Sequence, residues 1–398
     1  MTDTQTVDWM DGRISDADVE HMRSLIGKRE PLRGWVTAAD HDAIWHFAQG
    51  VGDDNPLWWD TEQQAGSVWR RRPAPPTLLY TFMSGPRLPG ETTIGGVEDL
   101  LPGVLGLWAG DAWVWRRPLW EGEPVLATSG LYAVQPKQTR FGGQAILQTD
   151  EIRFTERTTG DEIATLYRKR MRVERGAARN NGATDEYRTP AYTDEQIAEI
   201  ERQYESEYAN RRGGEPRFGD DVSVGDTLPP LVKGPLTVTG IVSWLLGWGS
   251  PLCPTNRMAH TYLAQHPGAR LHNDETNISD TIEGAHWDRH FAQRSGLPDG
   301  YDFGGQRIAW LAHLLGDWAG DASVLRELDA RLRRPNLLGD TTWVRGTVTG
   351  KQPGTHSDLV TCELSTTNQR GEVTATATAV VELPNRAAGV DGLVGLYQ

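Results

Sequence analysis

Two hydrophobic patterns recur along this chain, and together they predict helices followed by long antiparallel strands. Val344, Gly346 and Val348 fall on one face of a strand-like segment, and residues 375–380 alternate Ala with Thr or Val. The segments VTAADHDAIWHFAQGVGDDNP (36–56) and LTVTGIVSWLLGWGSPLCP (236–254) instead begin near a Thr and end at Gly and Pro, which is typical of a helix.

The order of these patterns occurs twice. LWAGDAWVWRRPLWEGEPV (107–125) is similar to DWAGDASVLRELDARLRRPNLLGDTTW (317–343), and β-rich sequence follows both. Each half therefore reads as a helix, a loop, a second helix and three or four strands, which indicates an internal duplication. Asp111 and Asp321 of the repeated WAGD are expected to end a helix or to enter a strand.

The composition between the halves predicts the domain boundaries. We expect an N-terminal repeat over 1–176, a linker with a bridging helix over 177–215, a C-terminal repeat over 216–385 and a tail over 386–398. The bridging helix is predicted over 194–212, capped by Thr193 or Asp194, because this stretch is charged and begins at a capping signal.

Charge and composition exclude several classes of function. Forty basic against 54 acidic residues give a net charge of −14, which argues against a nucleic-acid partner. The apolar runs fall short of the roughly 20 residues that cross a bilayer, so no membrane partner is expected. The acidic first residues do not resemble a signal peptide, and Cys253 and Cys362 are far apart in sequence. We therefore expect a cytoplasmic protein.

A helix wrapped by an antiparallel sheet, duplicated within one chain, resembles the double hot dog fold. FAQGVGDDNPLWWD (47–60) is similar to the signature of the MaoC-like enoyl-CoA hydratases and dehydratases, Gly-Asp-x-Asn-Pro-x-His-x-Asp. RRPAPPTLLYTF (71–82) resembles the segment that follows this signature in two-repeat members with a fatty-acid-synthase-like dehydratase domain. The resemblance implies an α+β fold of two tandem hot dog repeats.

The resemblance also implies a hydro-lyase that acts on an acyl thioester of coenzyme A or of an acyl-carrier protein. In the family an Asp and a His ionise or return water, and a backbone N–H at a helix start holds the thioester carbonyl. Negative charge develops on that oxygen, so a well-placed donor contributes about a hundred- to a thousandfold. The chemistry calls for no cofactor and no metal.

The N-terminal half departs from the family pattern at two points. Asp53 and Asn55 match the signature, but Trp58 stands where the family has its His. Pro75 and Pro76 occupy the loop of the backbone donor and carry no N–H. We therefore expect this half to be non-catalytic, with Asp53, Asn55 and Trp58 as substrate-binding residues of a shared pocket.

The C-terminal half contains HWDRHFAQRSGLPDGYDFGG (286–305), in which a His precedes a Gly-opened helix by the spacing that the family uses. The predicted general acid/base is His286, and the alternative is that His286 caps a helix over 287–295. Its acidic partner is Asp302 or Asp288, with Asp280 and Glu283 as alternatives. The predicted substrate-binding residues of this half are Gly304, Gly305 and Arg307.

A rival alignment keeps the choice open. NRMAHTY (256–262) resembles the His-bearing motif of related C-terminal repeats, but Asn256 and Ala259 replace both of its histidines. The expected activity is reversible hydration or dehydration of an enoyl or 3-hydroxyacyl thioester. The alternatives are a cyclase or isomerase of natural-product biosynthesis on the same scaffold and a non-catalytic thioester-binding subunit. A homodimer is possible.

Overall fold

One antiparallel sheet of ten strands runs through both halves of the chain. The protein is represented by a computed structural model, which describes residues 12–85, 101, 104–138, 144–174, 187–250 and 252–398. The start of the predicted linker, 177–186, lies outside these ranges. The strand order is β1-β3-β4-β5-β2-β9-β12-β11-β10-β6, and β7 and β8 form a separate hairpin. The strands are β1 (Arg29–Pro31), β2 (Val104–Trp115), β3 (Val125–Gln138), β4 (Gln144–Glu156), β5 (Glu162–Glu174), β6 (Thr227–Lys233), β7 (Arg270–Asn273), β8 (Ile278–Thr281), β9 (Val324–Leu332), β10 (Thr342–Gln352), β11 (Ser357–Asn368) and β12 (Val373–Pro384).

Helices from both halves pack against this sheet and against each other. The α-helices are α1 (Asp16–Ser24), α2 (His41–Val51), α3 (Thr61–Ala65), α4 (Asp194–Asn210), α5 (Val238–Trp248), α6 (Asn256–Gln265), α7 (Arg289–Arg294), α8 (Gly304–Ala319) and α9 (Gly389–Val394). Short 3-10 helices lie at Pro56–Trp58, Pro76–Met83, Gly219–Asp221, Pro267–Ala269 and Ile282–His286.

The topology gives the two halves a twofold relation. The strand order reads outward from the β2–β9 pair as the same sequence of elements on both sides, so that β2 corresponds to β9 and β1 to β6. The first long helices of the two halves, α2 and α5, pack against each other. The second helix of each half is unequal: a 3-10 helix over Pro76–Met83 in the first, and the 16-residue α8 in the second.

Several predicted elements are confirmed. Ala375, Ala377 and Ala379 face the core along β12, as the alternation predicts. The bridging helix runs Asp194–Asn210, and Thr193 caps it by accepting a hydrogen bond from the Gln196 N–H. The cap satisfies one N–H of the first turn, which has no acceptor within the helix.

The repeated WAGD does not occupy equivalent places, which corrects the sequence interpretation. Asp321 follows the end of α8, as expected, but Asp111 lies in the middle of β2. There Asp111 is fully buried and accepts hydrogen bonds from the Tyr80 hydroxyl and the Trp108 indole. The first WAGD belongs to a strand because Trp113 and Trp115 alternate into the core behind it.

Within the described part of the chain, no helix is both long and apolar enough to cross a membrane.

Candidate functional site

A cavity opens where the motif loop of the first half meets α8 of the second. Its empty volume is about 1010 Å³, which includes open solvent at the mouth. Most of its wall is apolar, with the aromatic side chains Phe47, Trp58, Trp69 and Trp115. Polar groups enter it at a few points, namely Asp53, Asn55, Thr77, Arg117, His313, Asp321 and Ser323.

The end of α2 fixes the position of Asp53. Gly52 terminates the helix in the left-handed conformation (φ 69°), which a residue with a side chain adopts only at a cost. The chain then turns inward, and Asp53 accepts a hydrogen bond from the Asn55 N–H at 3.1 Å. Asp53 is thereby buried, with 9% of its surface exposed, and its carboxylate faces the cavity.

Asn55 links the motif loop to the other half. Its side-chain oxygen accepts from the Leu57 N–H, and its amide donates to Asp321 Oδ1 at 2.8 Å. The indole N–H of Trp69 donates to the Asp321 carbonyl oxygen at 2.7 Å. The cavity wall is thus joined across the repeats by hydrogen bonds.

His313 projects from α8 toward Asp53. His313 Nε2 lies 3.6 Å from Asp53 Oδ1 and 3.4 Å from Asp317 Oδ2, the latter one helical turn away. Both separations exceed a good hydrogen bond, and Nε2 is buried without a hydrogen-bond partner among the described residues. A buried polar atom without a partner on the wall of a cavity indicates a place for water or a ligand oxygen.

Lys233 lies behind the imidazole. Its Nζ is 2.8 Å from His313 Nδ1 and donates to the Gly52 carbonyl oxygen at 3.0 Å. The buried Lys233 side chain therefore contacts both the His313 imidazole and Gly52, the residue that precedes Asp53.

Burial shifts the acid and the imidazole in opposite directions. It raises the pKa of Asp53, and His313, the Asn55 N–H and the Trp58 indole oppose that rise. It lowers the pKa of His313 to about 4, and the Lys233 charge adds to this effect. Burial also raises the pKa of Asp317 to about 6. Because water is scarce here, the imidazole is neutral at pH 7 and the carboxyl groups titrate closer to neutrality.

Asp53, His313 and Asp317 could in principle hold a metal ion, because one ligand atom of each lies within 4.8 Å of the others. The surroundings fit this poorly. A metal-ligating His normally donates its second N–H to an acceptor. The second nitrogen here faces the amino group of Lys233 instead. The group is better suited to handling protons than to coordination.

The N-terminal half of the chain is similar in sequence to a known family. Residues 25–166 match the sequence model of the FAS1-like dehydratase domain region, a match that includes the Asp53 motif and the loop at Pro75. The match is confined to the predicted N-terminal repeat. No protein of curated function matches the sequence of the chain.

Solved structures confirm the α+β double hot dog fold over nearly the whole chain. A protein described as a MaoC-like dehydratase is 18% identical, with a TM-score of 0.59, over 91% of this chain and 99% of that one. A putative MaoC domain dehydratase from Chloroflexus aurantiacus J-10-fl is 14% identical, with a TM-score of 0.52, over 91% and 96%. RV0216 from Mycobacterium tuberculosis, described as having a double hot dog fold, is 11% identical, with a TM-score of 0.52, over 91% and 97%. At such identities the likeness concerns the fold alone.

The catalytic residues predicted in the C-terminal half lie outside the wall of the cavity. His286 is the last residue of a 3-10 helix, stacks on Phe303 and contacts the Tyr301 carbonyl oxygen through Nδ1 at 2.8 Å. Burial lowers its pKa to about 4. Of the four acidic partners left open, Glu283 is beside it, with Oε2 3.8 Å from Nε2. The role of His286 in catalysis stays a prediction.

Asp288 and Asp302 have structural partners. Asp288, not His286, caps α7, accepting from the Phe291 N–H. Asp302 is bound by Arg307 through two hydrogen bonds of 2.5 and 2.8 Å and by the Asn336 amide at 2.7 Å. Arg307 is completed by the carbonyl oxygens of Arg334 and Thr374, so its charge is directed at protein groups rather than at the cavity.

Gly304 and Gly305 open α8, as predicted, but against packed side chains. A Cβ on Gly304 would lie 2.7 Å from Leu332 Cδ1 and 2.8 Å from Trp108 Cγ. One on Gly305 would lie 2.9 Å from the Trp108 ring. These glycines let the helix approach Trp108 closely. Asp53, Asn55 and Trp58, predicted as pocket residues, do line the cavity.

Sequence reasoning missed His313, Asp317 and Lys233. His313 and Asp317 lie in AWLAHLLGDWA (309–319), which reads as a core helix because all of its remaining residues are apolar or glycine. The available signal was their separation of four residues, which puts a His and an Asp on one face of that helix. Nothing in the sequence pattern connects that face to Asp53, 260 residues earlier in the chain.

Proposed function

We propose that this protein catalyses the reversible hydration of an enoyl thioester to a 3-hydroxyacyl thioester, carried by coenzyme A or a carrier protein, at Asp53 and His313. The observation that carries the proposal is the 3.6 Å gap between Asp53 Oδ1 and His313 Nε2 in an apolar cavity. The gap is too long for a direct hydrogen bond, and one oxygen atom can bridge the two groups.

The proposed reaction uses that bridging oxygen as the water, or as the 3-hydroxyl group in the reverse direction. As the oxygen bonds to the β-carbon, the Asp53 carboxylate accepts one of its protons. The Asp53 carboxyl group returns a proton to the α-carbon, so that H and OH add across the double bond. A raised pKa suits a carboxyl group that must take up and release a proton near neutral pH.

A donor for the thioester carbonyl is available in the first half. Thr77 lies on the cavity wall in the first turn of the 3-10 helix Pro76–Met83. N–H groups of a first turn lack acceptors within the helix. Pro75 and Pro76 carry no N–H, but Thr77 is the next residue and does, so we assign it the role of the family's Gly donor.

In this proposal His313 replaces the imidazole that the family signature places at position 58. Trp58 fills the motif position, and the imidazole instead comes from α8 of the other half. The similarity of residues 25–166 to a dehydratase domain region supports the reaction class, and the cavity supports the location.

The experiment that tests the function is turnover of a panel of enoyl- and 3-hydroxyacyl-CoA thioesters in oxygen-18 water, followed by mass spectrometry. Hydration predicts one labelled hydroxyl group per product, absent with Asp53→Asn. A product without solvent oxygen would contradict the proposal and favour a cyclase or isomerase. Binding of thioesters without turnover would contradict it and favour a binding subunit.

A further inference from the structure

Lys233 occupies a position from which it can decide which nitrogen of His313 carries the proton. We propose that Lys233 is a positioning residue that holds His313 in the Nε2–H form, which makes His313 a hydrogen-bond donor and leaves Asp53 as the base. The inference rests on the proposed function for its catalytic meaning, but the protonation state can be measured without any substrate.

The geometry of Lys233 supports an ammonium rather than a neutral amine. Its Nζ donates to the Gly52 carbonyl oxygen, which can only accept, and is 2.8 Å from His313 Nδ1. An ammonium that donates to both leaves no proton for Nδ1 on a neutral ring. Burial lowers the pKa of Lys233, and the negative charges of Glu207, Asp53, Asp317 and Asp54 oppose that shift and favour the ammonium form.

The other side of the ring agrees with this assignment. With Nδ1 as the acceptor, Nε2–H points to the Asp53 and Asp317 carboxylates at 3.6 and 3.4 Å. An N–H group between two carboxylate oxygens is attracted to both, whereas a nitrogen lone pair at the same place would be repelled by them.

The consequence is a division of roles in the cavity. An oxygen between Asp53 and His313 receives a hydrogen bond from Nε2–H, which directs one of its own protons to Asp53. Lys233 also contacts the carbonyl of Gly52, next to Asp53, so the same amino group sets the position of both partners.

Histidine ring 15N NMR of the intact protein tests the protonation state directly, with the His313 signal assigned from His313→Gln. The groups that face His313 are Lys233 on β6, Asp53 and Asp54 on the motif loop, Asp317 on α8 and Arg211 beyond α4. We expect the Nε2–H form at pH 7 with protonation only near pH 4, and in Lys233→Met a mixed tautomer that protonates at higher pH.

An Nδ1–H form in the unaltered protein, or an unchanged tautomer and titration in Lys233→Met, would overturn the inference. A second variant, Lys233→Ala, provides chemical rescue. In this variant we expect kcat to fall about ten- to a hundredfold, the range that is typical when the hydrogen-bond partner of a metal-bound histidine is removed. We expect added ethylammonium to restore kcat. A loss that ethylammonium does not restore would indicate a merely structural role.

Separate experiments test the proposed function and the role of Lys233. Absence of turnover with every thioester contradicts the proposed function, while the NMR result still decides the tautomer.

Discussion

At the scale of single residues, burial sets the protonation of the site. Asp53 and His313 share one apolar cavity, and the same loss of water raises the pKa of the acid and lowers that of the imidazole. Asp53 could be predicted as a pocket residue because the GDDNP motif is local in sequence. His313 could not, because its partner comes from the other repeat and its own helix reads as core.

A second buried pair, Glu283 and His286, gives a prediction about stability. Ser250 donates to Glu283 Oε1 at 2.9 Å, while Oε2 is buried without a hydrogen-bond partner in the described part of the chain. Burial raises the pKa of Glu283 from 4.5 to about 7. Its contribution to stability is therefore fully present below pH 4.5 and is lost as the pH rises through about 7.

Glu283→Gln removes this titration and keeps an acceptor for Ser250. We expect the free energy of unfolding of the variant, relative to the unaltered protein, to increase by about 3 kcal/mol between pH 4 and pH 8. Urea denaturation at the two pH values measures it. An equal difference at both would show that Glu283 titrates normally.

At the scale of elements, the two second helices have diverged. The 3-10 helix Pro76–Met83 begins at the cavity, whereas α8 begins against Trp108 and reaches the cavity with its C-terminal half. The sequence predicted the helix start at Gly304–Gly305, since glycine marks it, and it placed Pro75 and Pro76 in a loop. It could not show that the Gly304–Gly305 start is filled by Trp108, a residue of β2 in the other half.

Gly304→Ala and Gly316→Ala form a matched pair within α8. A Cβ at Gly304 would overlap Leu332 and Trp108, so we expect a loss of about 1–3 kcal/mol of stability. A Cβ at Gly316 meets nothing within 4 Å, and Ala favours a helix, so we expect a gain of about 0.5–1 kcal/mol. Thermal and urea unfolding measure both. If Gly304→Ala weakened thioester binding at full stability, Gly304 would be a ligand contact after all.

At the scale of the whole molecule, the two repeats share one sheet and one cavity. Duplication, alternating strands and the bridging helix were readable from the sequence because they depend on local periodicity. The joining of the repeats through β2 and β9 was not, because pairing of strands as far apart in the chain as Gly110 and Arg331 leaves no periodic signal. At this seam Gly110 has a φ of 147°, and a Cβ would lie 2.2 Å from the Ala330 carbonyl oxygen.

Gly110→Ala should therefore weaken both repeats together, by about 2 kcal/mol or more. Hydrogen exchange with mass spectrometry measures this on peptides from β4 and β11, one from each repeat. Faster exchange of both is expected, because the seam strands belong to one sheet. Faster exchange of β4 alone would show that the repeats unfold independently.

The rates at which two matched variants hydrate an enoyl-CoA decide where in the molecule the reaction takes place. Asp53→Asn keeps the shape of the motif loop, and His286→Asn keeps a donor for the Tyr301 carbonyl. We predict that Asp53→Asn lowers kcat by about a hundredfold or more, while His286→Asn stays within a few-fold of the unaltered enzyme. A folded Asp53→Asn with full activity beside an inactive His286→Asn would place the reaction in the C-terminal loop and contradict the account.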